Sequence, residues 1–114
     1  MYNPDIYQST FHFDQSVINK GFDVFGCPTQ ALKCSEELNE LSAIIIKQHI
    51  HPEQNLKPKM TEEIADVLIT LEHLKNRHDI DQKSIQKVIE RKQRKFDKYL
   101  NGILETRKES FNSS

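Results

Sequence analysis

Apolar residues along this chain recur mainly at three- and four-residue intervals, a spacing that gathers them on one side of an α-helix rather than on one face of a strand. Val17, Ile18, Phe22 and Phe25 mark a first helix over about Asp14 to Phe25, ended by Gly26 and, shortly after, Pro28. A second is expected from about Thr29 to Ile50, closed by the stretch from His51 to Pro58, where Pro52 and Pro58 block smooth continuation. Thr61 is the expected N-cap of a third, whose Ile64, Val67, Leu68, Leu71 and Leu74 share a face until about Asn76. Asp81 is the expected cap of a fourth, which carries Ile85, Val88, Ile89, Phe96, Tyr99, Leu100 and Ile103 toward the core. The polar stretches before about Phe11 and after about Thr106 are expected to fray. With three glycines in 114 residues and no long alternation, the pattern predicts an all-α, four-helix bundle, read as a single domain with an ordered core over about residues 12–105.

Two of these helices break the pattern in the same way. Glu37 and Glu40 in the second, and Glu63 and Asp66 in the third, are acid pairs three residues apart, and the first acid of each lies inside the apolar stripe. At about 100° per residue, Glu37 falls roughly 20° from Ile44 and 40° from Leu41, while Glu40 sits about 60° off, at the stripe's edge. Glu63 falls likewise among Leu74 and Val67, with Asp66 about 60° to the other side. Glu36 is an outer neighbour. If the two helices face each other, four acids converge, and two carboxylates about 4 Å apart repel by roughly 4 kcal/mol at an effective dielectric of about 20. Such a cluster must be protonated, paired with bases, or bound to metal. An all-oxygen set favours hard divalent ions, chiefly Mg²⁺ with Mn²⁺ as a substitute.

The formal charge of −1 conceals a segregation, with acids concentrated between Glu36 and Glu72 and bases between Lys83 and Lys98. This argues against a dominant basic surface and against a nucleic-acid polymer as partner. Lys83, Lys87, Arg91 and Lys95 recur every four residues as one stripe of the fourth helix, flanked by Arg94 and Lys98. That stripe is either a solvated face, a set of salt-bridge partners for the acids, or a grip for polyphosphate, which needs cationic groups beyond a metal. Lys33 and Lys47 lie on the Glu40 side of the second helix and are further candidates for phosphate contact. None of His12, His49, His51, His73 or His78 has a glutamate three residues before it, which excludes the Glu-x-x-His di-iron pattern, and no GxxxxGK[ST] loop is present. His73 shares the Asp66 side two turns on and reads as a surface or outer-contact residue; Cys34 reads as a small core residue. Cys27 and Cys34 fit neither a zinc site nor a disulfide framework, and the polar N-terminus lacks a signal-peptide core, so a reduced cytoplasmic setting without membrane contact is expected.

These motifs resemble those of the all-α nucleoside triphosphate pyrophosphohydrolases, in particular the MazG-like branch. The family signature E-E-x-x-E, then E-x-x-D after a gap, is matched by Glu36, Glu37 and Glu40, followed after 22 residues by Glu63 and Asp66. Leu38 and Leu41 flank the first motif, Glu62 to Leu68 reads E-E-I-A-D-V-L as in many members, and Phe25 to Lys33 resembles the segment leading into the metal helix of small single-domain members. The resemblance covers about Val17 to Leu100 and departs in the fourth helix, where a charged residue near Glu90 or Arg91 stands in place of a family asparagine. It implies a MazG-like bundle completed by oligomerisation into a homodimer or homotetramer. It also implies Mg²⁺-dependent hydrolysis of a (d)NTP to (d)NMP and pyrophosphate, as a house-cleaning or pool-adjusting activity. Glu37, Glu40, Glu63 and Asp66 would then ligate the metal, Glu36 or Glu40 would take the proton of the attacking water, and Lys33, Lys47, Lys87, Arg91 and Lys95 would meet phosphate. Activity confined to dUTP or dCTP is the nearest alternative. A non-catalytic helical module that binds nucleotide or a protein partner is the alternative from another class.

Overall fold

The computed structural model describes residues 11–113, and those residues form four α-helices and no strand. The helices are α1 (Gln15–Phe25), α2 (Cys27–Ile50), α3 (Lys57–Arg77) and α4 (Gln82–Ser113). No described helix is long and apolar enough to cross a membrane. The chain divides into two compact units, one ending at Asp79 and the other beginning at Ile80. The expected fraying before Phe11 lies outside the described residues.

In the first unit, α1 begins where Asp14 turns its carboxylate back onto the backbone N–H groups of Ser16 (3.0 Å) and Val17 (3.4 Å), satisfying donors that the helix leaves open. It ends at Gly26, whose φ of 85° is open to glycine at little cost and whose N–H bonds to Phe22 O at 2.8 Å. α2 starts at once, two residues before the expected Thr29, because Pro28 is compatible with a helical first turn rather than a barrier to it. The same physics moves the start of α3. Pro58 sits inside its first turn, and Thr61, expected as the cap, lies within the helix and donates its hydroxyl to Lys57 O at 2.8 Å.

Residues 51–56 join α2 to α3, and the two helices pack side by side as an antiparallel hairpin. Gln48 fixes this turn. Its amide nitrogen donates to His51 O (3.2 Å) and Gln54 O (2.9 Å), and its carbonyl accepts from Leu56 N (3.2 Å). Gln48→Ala removes all three bonds and is expected to lower stability by about 1–3 kcal/mol. A urea midpoint equal to that of the unsubstituted chain would show that the turn is held by other means.

The packed interior is small. Ile18, Cys34 and Val67 are buried, alongside the polar side chains Glu37, Glu63, Thr70 and His73. Cys34 is the expected core residue, whereas Val17 and Phe25 of the α1 stripe are exposed. Of the two expected places for His73, the surface and an outer contact of the site, burial rules out the surface. α1 crosses His73, with Phe22 edge-on to the imidazole at 5.3 Å. Gly21 lies at this crossing, where a Cβ would stand in ordinary contact with His73 Nε2 at 3.5 Å and would press on the Gln30 amide at 3.0 Å. Gln30 in turn donates to Gly21 O at 3.1 Å, tying α1 to α2.

The second unit contains α4, which starts as expected with Ser84 N donating to Asp81 Oδ1 at 2.7 Å. It runs to Ser113, past Thr106. Within this unit Ile85 and Ile103 are half-buried, while Val88, Ile89, Phe96, Tyr99 and Leu100 are exposed rather than directed to a core.

Candidate metal centre

The hairpin brings both acid motifs to one place. α2 presents Glu36, Glu37 and Glu40 over consecutive turns, and α3, running the other way, presents Glu62, Glu63 and Asp66. The inward and flanking positions separate as the helical wheel requires, with Glu37 and Glu63 only 8% and 3% exposed and Glu36, Glu40 and Asp66 at the solvent edge. One carboxylate oxygen each from Glu37, Glu63 and Asp66 lies within 4.8 Å of the others. Glu40 adjoins the same group. The charge of Glu37 first, then hydrogen bonds with the Glu37 and Glu63 carboxylates and the charge of Glu63, hold its carboxyl above the usual glutamate range, because an added negative charge is resisted there and a proton is shared there.

A lysine one turn earlier attends each buried glutamate. Lys33 Nζ stands 4.0 Å from Glu37 Oε1 and 3.6 Å from Glu36 Oε2. Lys59 Nζ stands 2.9 Å from Glu63 Oε1 and 3.9 Å from Glu62 Oε2. The hydrogen bond to Glu63, and that residue's charge, raise the proton affinity of the Lys59 ammonium. Sequence reasoning singled out Lys33 but passed over Lys59, although the signal was present. Both helices carry K-x-x-E-E-x-x-[E/D], from Lys33 to Glu40 and from Lys59 to Asp66. Lys47 is exposed near the other end of α2, about 15 Å along the axis from Glu37 at 1.5 Å per residue. Lys87, Arg91 and Lys95 are exposed on α4, in the second unit, and the centre described here is built from the first.

The lysines leave half of each buried carboxylate unanswered. Glu37 Oε2 and Glu63 Oε2 are both buried with no hydrogen-bond partner. An orphaned buried acceptor costs about 1–3 kcal/mol, and more when charged. Neighbouring carboxylates have no donor to offer unless one takes up a proton. A hard divalent cation answers both oxygens at once, and Mg²⁺ needs only one or two carboxylates, since water and phosphate oxygens complete its octahedron. Three carboxylates drawn from two rigid helices, with a solvent-facing side at Asp66, therefore fit such an ion by donor type, number and access. No protein-family model, curated protein or solved structure matches this chain.

Proposed function

We propose that the chain is a Mg²⁺-dependent nucleotide pyrophosphohydrolase of the MazG-like all-α group, converting (d)NTP to (d)NMP and pyrophosphate. The observation that carries this reading is the pair of buried, partnerless glutamate oxygens from α2 and α3, gathered with Asp66 at the centre of the E-E-x-x-E and E-x-x-D motifs. Mg²⁺ held by Glu37, Glu63 and Asp66, with Glu40 beside them, would supply neutralisation of the triphosphate charge and acidification of water. Glu40 stands beside these ligands at the solvent edge, where it would be the carboxylate placed to accept the proton of a water, with Glu36 as the other candidate. Glu36, exposed and 3.6 Å from Lys33, would serve at the outer edge of the site. Lys33 is near enough to the acids to meet phosphate oxygens, and Lys47 on the same helix is a further candidate for that role.

Assembly into a homodimer or homotetramer belongs to the same proposal. Leu38, Ile45, Ile46 and Ile50 on α2 and Ile64 and Ile69 on α3 are exposed, while the described apolar core holds little more than Ile18, Cys34 and Val67. Extensive exposed apolar surface favours association. Incubation with a panel of NTPs and dNTPs in Mg²⁺ is expected to release pyrophosphate, with Asp66→Asn reducing turnover at least about 100-fold, as loss of a metal ligand does through transition-state charge stabilisation. Orthophosphate as the first product, or silence across the panel, would overturn the assignment.

A further inference from the structure

The two lysines raise a question that the acids alone do not. A positive charge beside a cation site ought to repel the cation, so simple electrostatics makes Lys33 and Lys59 competitors of the metal. The contacts point the other way. In both motifs the lysine stands by one oxygen of the carboxylate: Lys59 Nζ lies 2.9 Å from Glu63 Oε1, and Lys33 Nζ lies 4.0 Å from Glu37 Oε1. The opposite oxygens, Glu63 Oε2 and Glu37 Oε2, are the buried ones with no donor. The lysine stems rise from the preceding turn, where the i,i+4 spacing brings each ammonium to the glutamate of its own helix. Both lysine side chains are about half exposed, at 53% for Lys59 and 55% for Lys33, so their charges are partly hydrated and screened.

We propose that Lys59, and more weakly Lys33, are positioning residues of the cation site. Lys59 pins one oxygen of the buried Glu63 and Lys33 stands over one oxygen of the buried Glu37, which leaves the other oxygen of each for a cation. Their function is that of the partners that orient a metal's carboxylate ligands from outside, and the duplicated K-x-x-E-E-x-x-[E/D] element places one on each side. Without the ammonium, Glu63 is free to turn its carboxylate away from the cluster. The ordering of Lys59 above Lys33 follows from the contact lengths, since only the 2.9 Å pair is a close hydrogen bond. This inference rests on the metal-centre reading.

The test is Mn²⁺ and Mg²⁺ binding to the full chain, followed by calorimetry and by the Mn²⁺ electron-spin resonance signal rather than by turnover. Lys59→Met is expected to weaken binding by roughly 10–100-fold, the usual loss when such an outer partner is removed. Lys59→Arg, which keeps the charge and the hydrogen bond, is expected to restore most of it. Lys57→Met, two residues away and exposed, removes the same charge from the same turn and is expected to leave the affinity nearly unchanged or slightly tightened. Unchanged or tighter binding in Lys59→Met would overturn the positioning role and return Lys59 to a simple electrostatic competitor. Equal weakening in Lys57→Met would overturn it too, since the effect would then not be specific to the Glu63 contact. If the unsubstituted chain binds neither ion, the metal centre itself fails, an outcome distinct from either of these.

Discussion

Glu37→Gln is expected to make the protein more stable in chelator and less stable than the unsubstituted chain in saturating Mg²⁺, so that the two stability orders cross. Glu37 is buried, its Lys33 contact is long at 4.0 Å, and its other oxygen has no donor. It lies within 4.8 Å of Glu63 and Asp66, a distance at which two charges repel by roughly 3–4 kcal/mol at an effective dielectric of about 20. The two lysines offset part of this. Glutamine keeps the shape, removes the charge and gives the orphaned position an N–H₂ that the remaining carboxylates can accept. A net gain of about 1–2 kcal/mol in chelator is the expected balance, equal to some 4–8 °C in melting temperature per kcal/mol for a domain of this size.

With metal the account reverses. A ligand that binds only the folded state stabilises it by about 2.7 kcal/mol at a concentration one hundred times its dissociation constant. Glu37→Gln loses most of that term, because a neutral amide is a poor partner for Mg²⁺. Thermal melts of both proteins in chelator and in a Mg²⁺ series measure the crossing directly. A variant destabilised under both conditions would mean that Glu37 is held as a structural ion pair, with Lys33 as its real partner, and that no cation site is formed there.

The sequence made the acid centre legible because its logic is local. A buried acid on a helix is visible as a violation of the 3.6-residue pattern, and two violations with the same spacing imply each other's presence. Glu37 and Glu63 are therefore readable as inward, and Glu40 and Asp66 as flanking, from the sequence alone. What escaped was tertiary. Nothing in the pattern of α3 says that α1 crosses at His73, because the edge-on contact with Phe22 exists only once the two helices are packed. The start of α3 was misplaced for a different reason. Pro58 was weighed as a breaker, although in the first turn its missing N–H has no partner to lose, and Thr61 looked like a cap because its hydroxyl bonds equally well backward to Lys57 O. Lys59 went unread because an i,i+4 Lys and Glu pair is common on solvated helices. Only the burial of Glu63 gives that spacing meaning.

The pH dependence of stability is expected to change sign when metal is added. In chelator, Glu40 has a higher proton affinity in the folded chain than in the unfolded one, through Glu37 first and then Glu63, so the folded state binds its proton more tightly. Its stabilising contribution is complete below its ordinary value of 4.5 and is lost as pH rises through its raised folded value. Asp14 and Asp81 act oppositely. Their helix-capping bonds, led by Ser16 for Asp14 and the Ser84 N–H for Asp81, lower both from 3.8. Their contribution is present above 3.8 and is lost as pH falls through their lowered folded values. The two windows are separate, so acidification in chelator first strengthens the Glu40 contribution and then, further down, removes the caps. In saturating Mg²⁺ the acids of the centre are held ionised by the metal, and protons compete with it, so acidification from neutrality toward 4.5 releases metal and lowers stability. Subtracting urea midpoints in chelator from those in Mg²⁺ at each pH cancels every group that the metal does not touch. That difference is expected to shrink steadily from neutral pH downward and to be nearly flat with pH in Glu37→Gln. A difference independent of pH in the unsubstituted chain would mean that Mg²⁺ does not bind at these carboxylates.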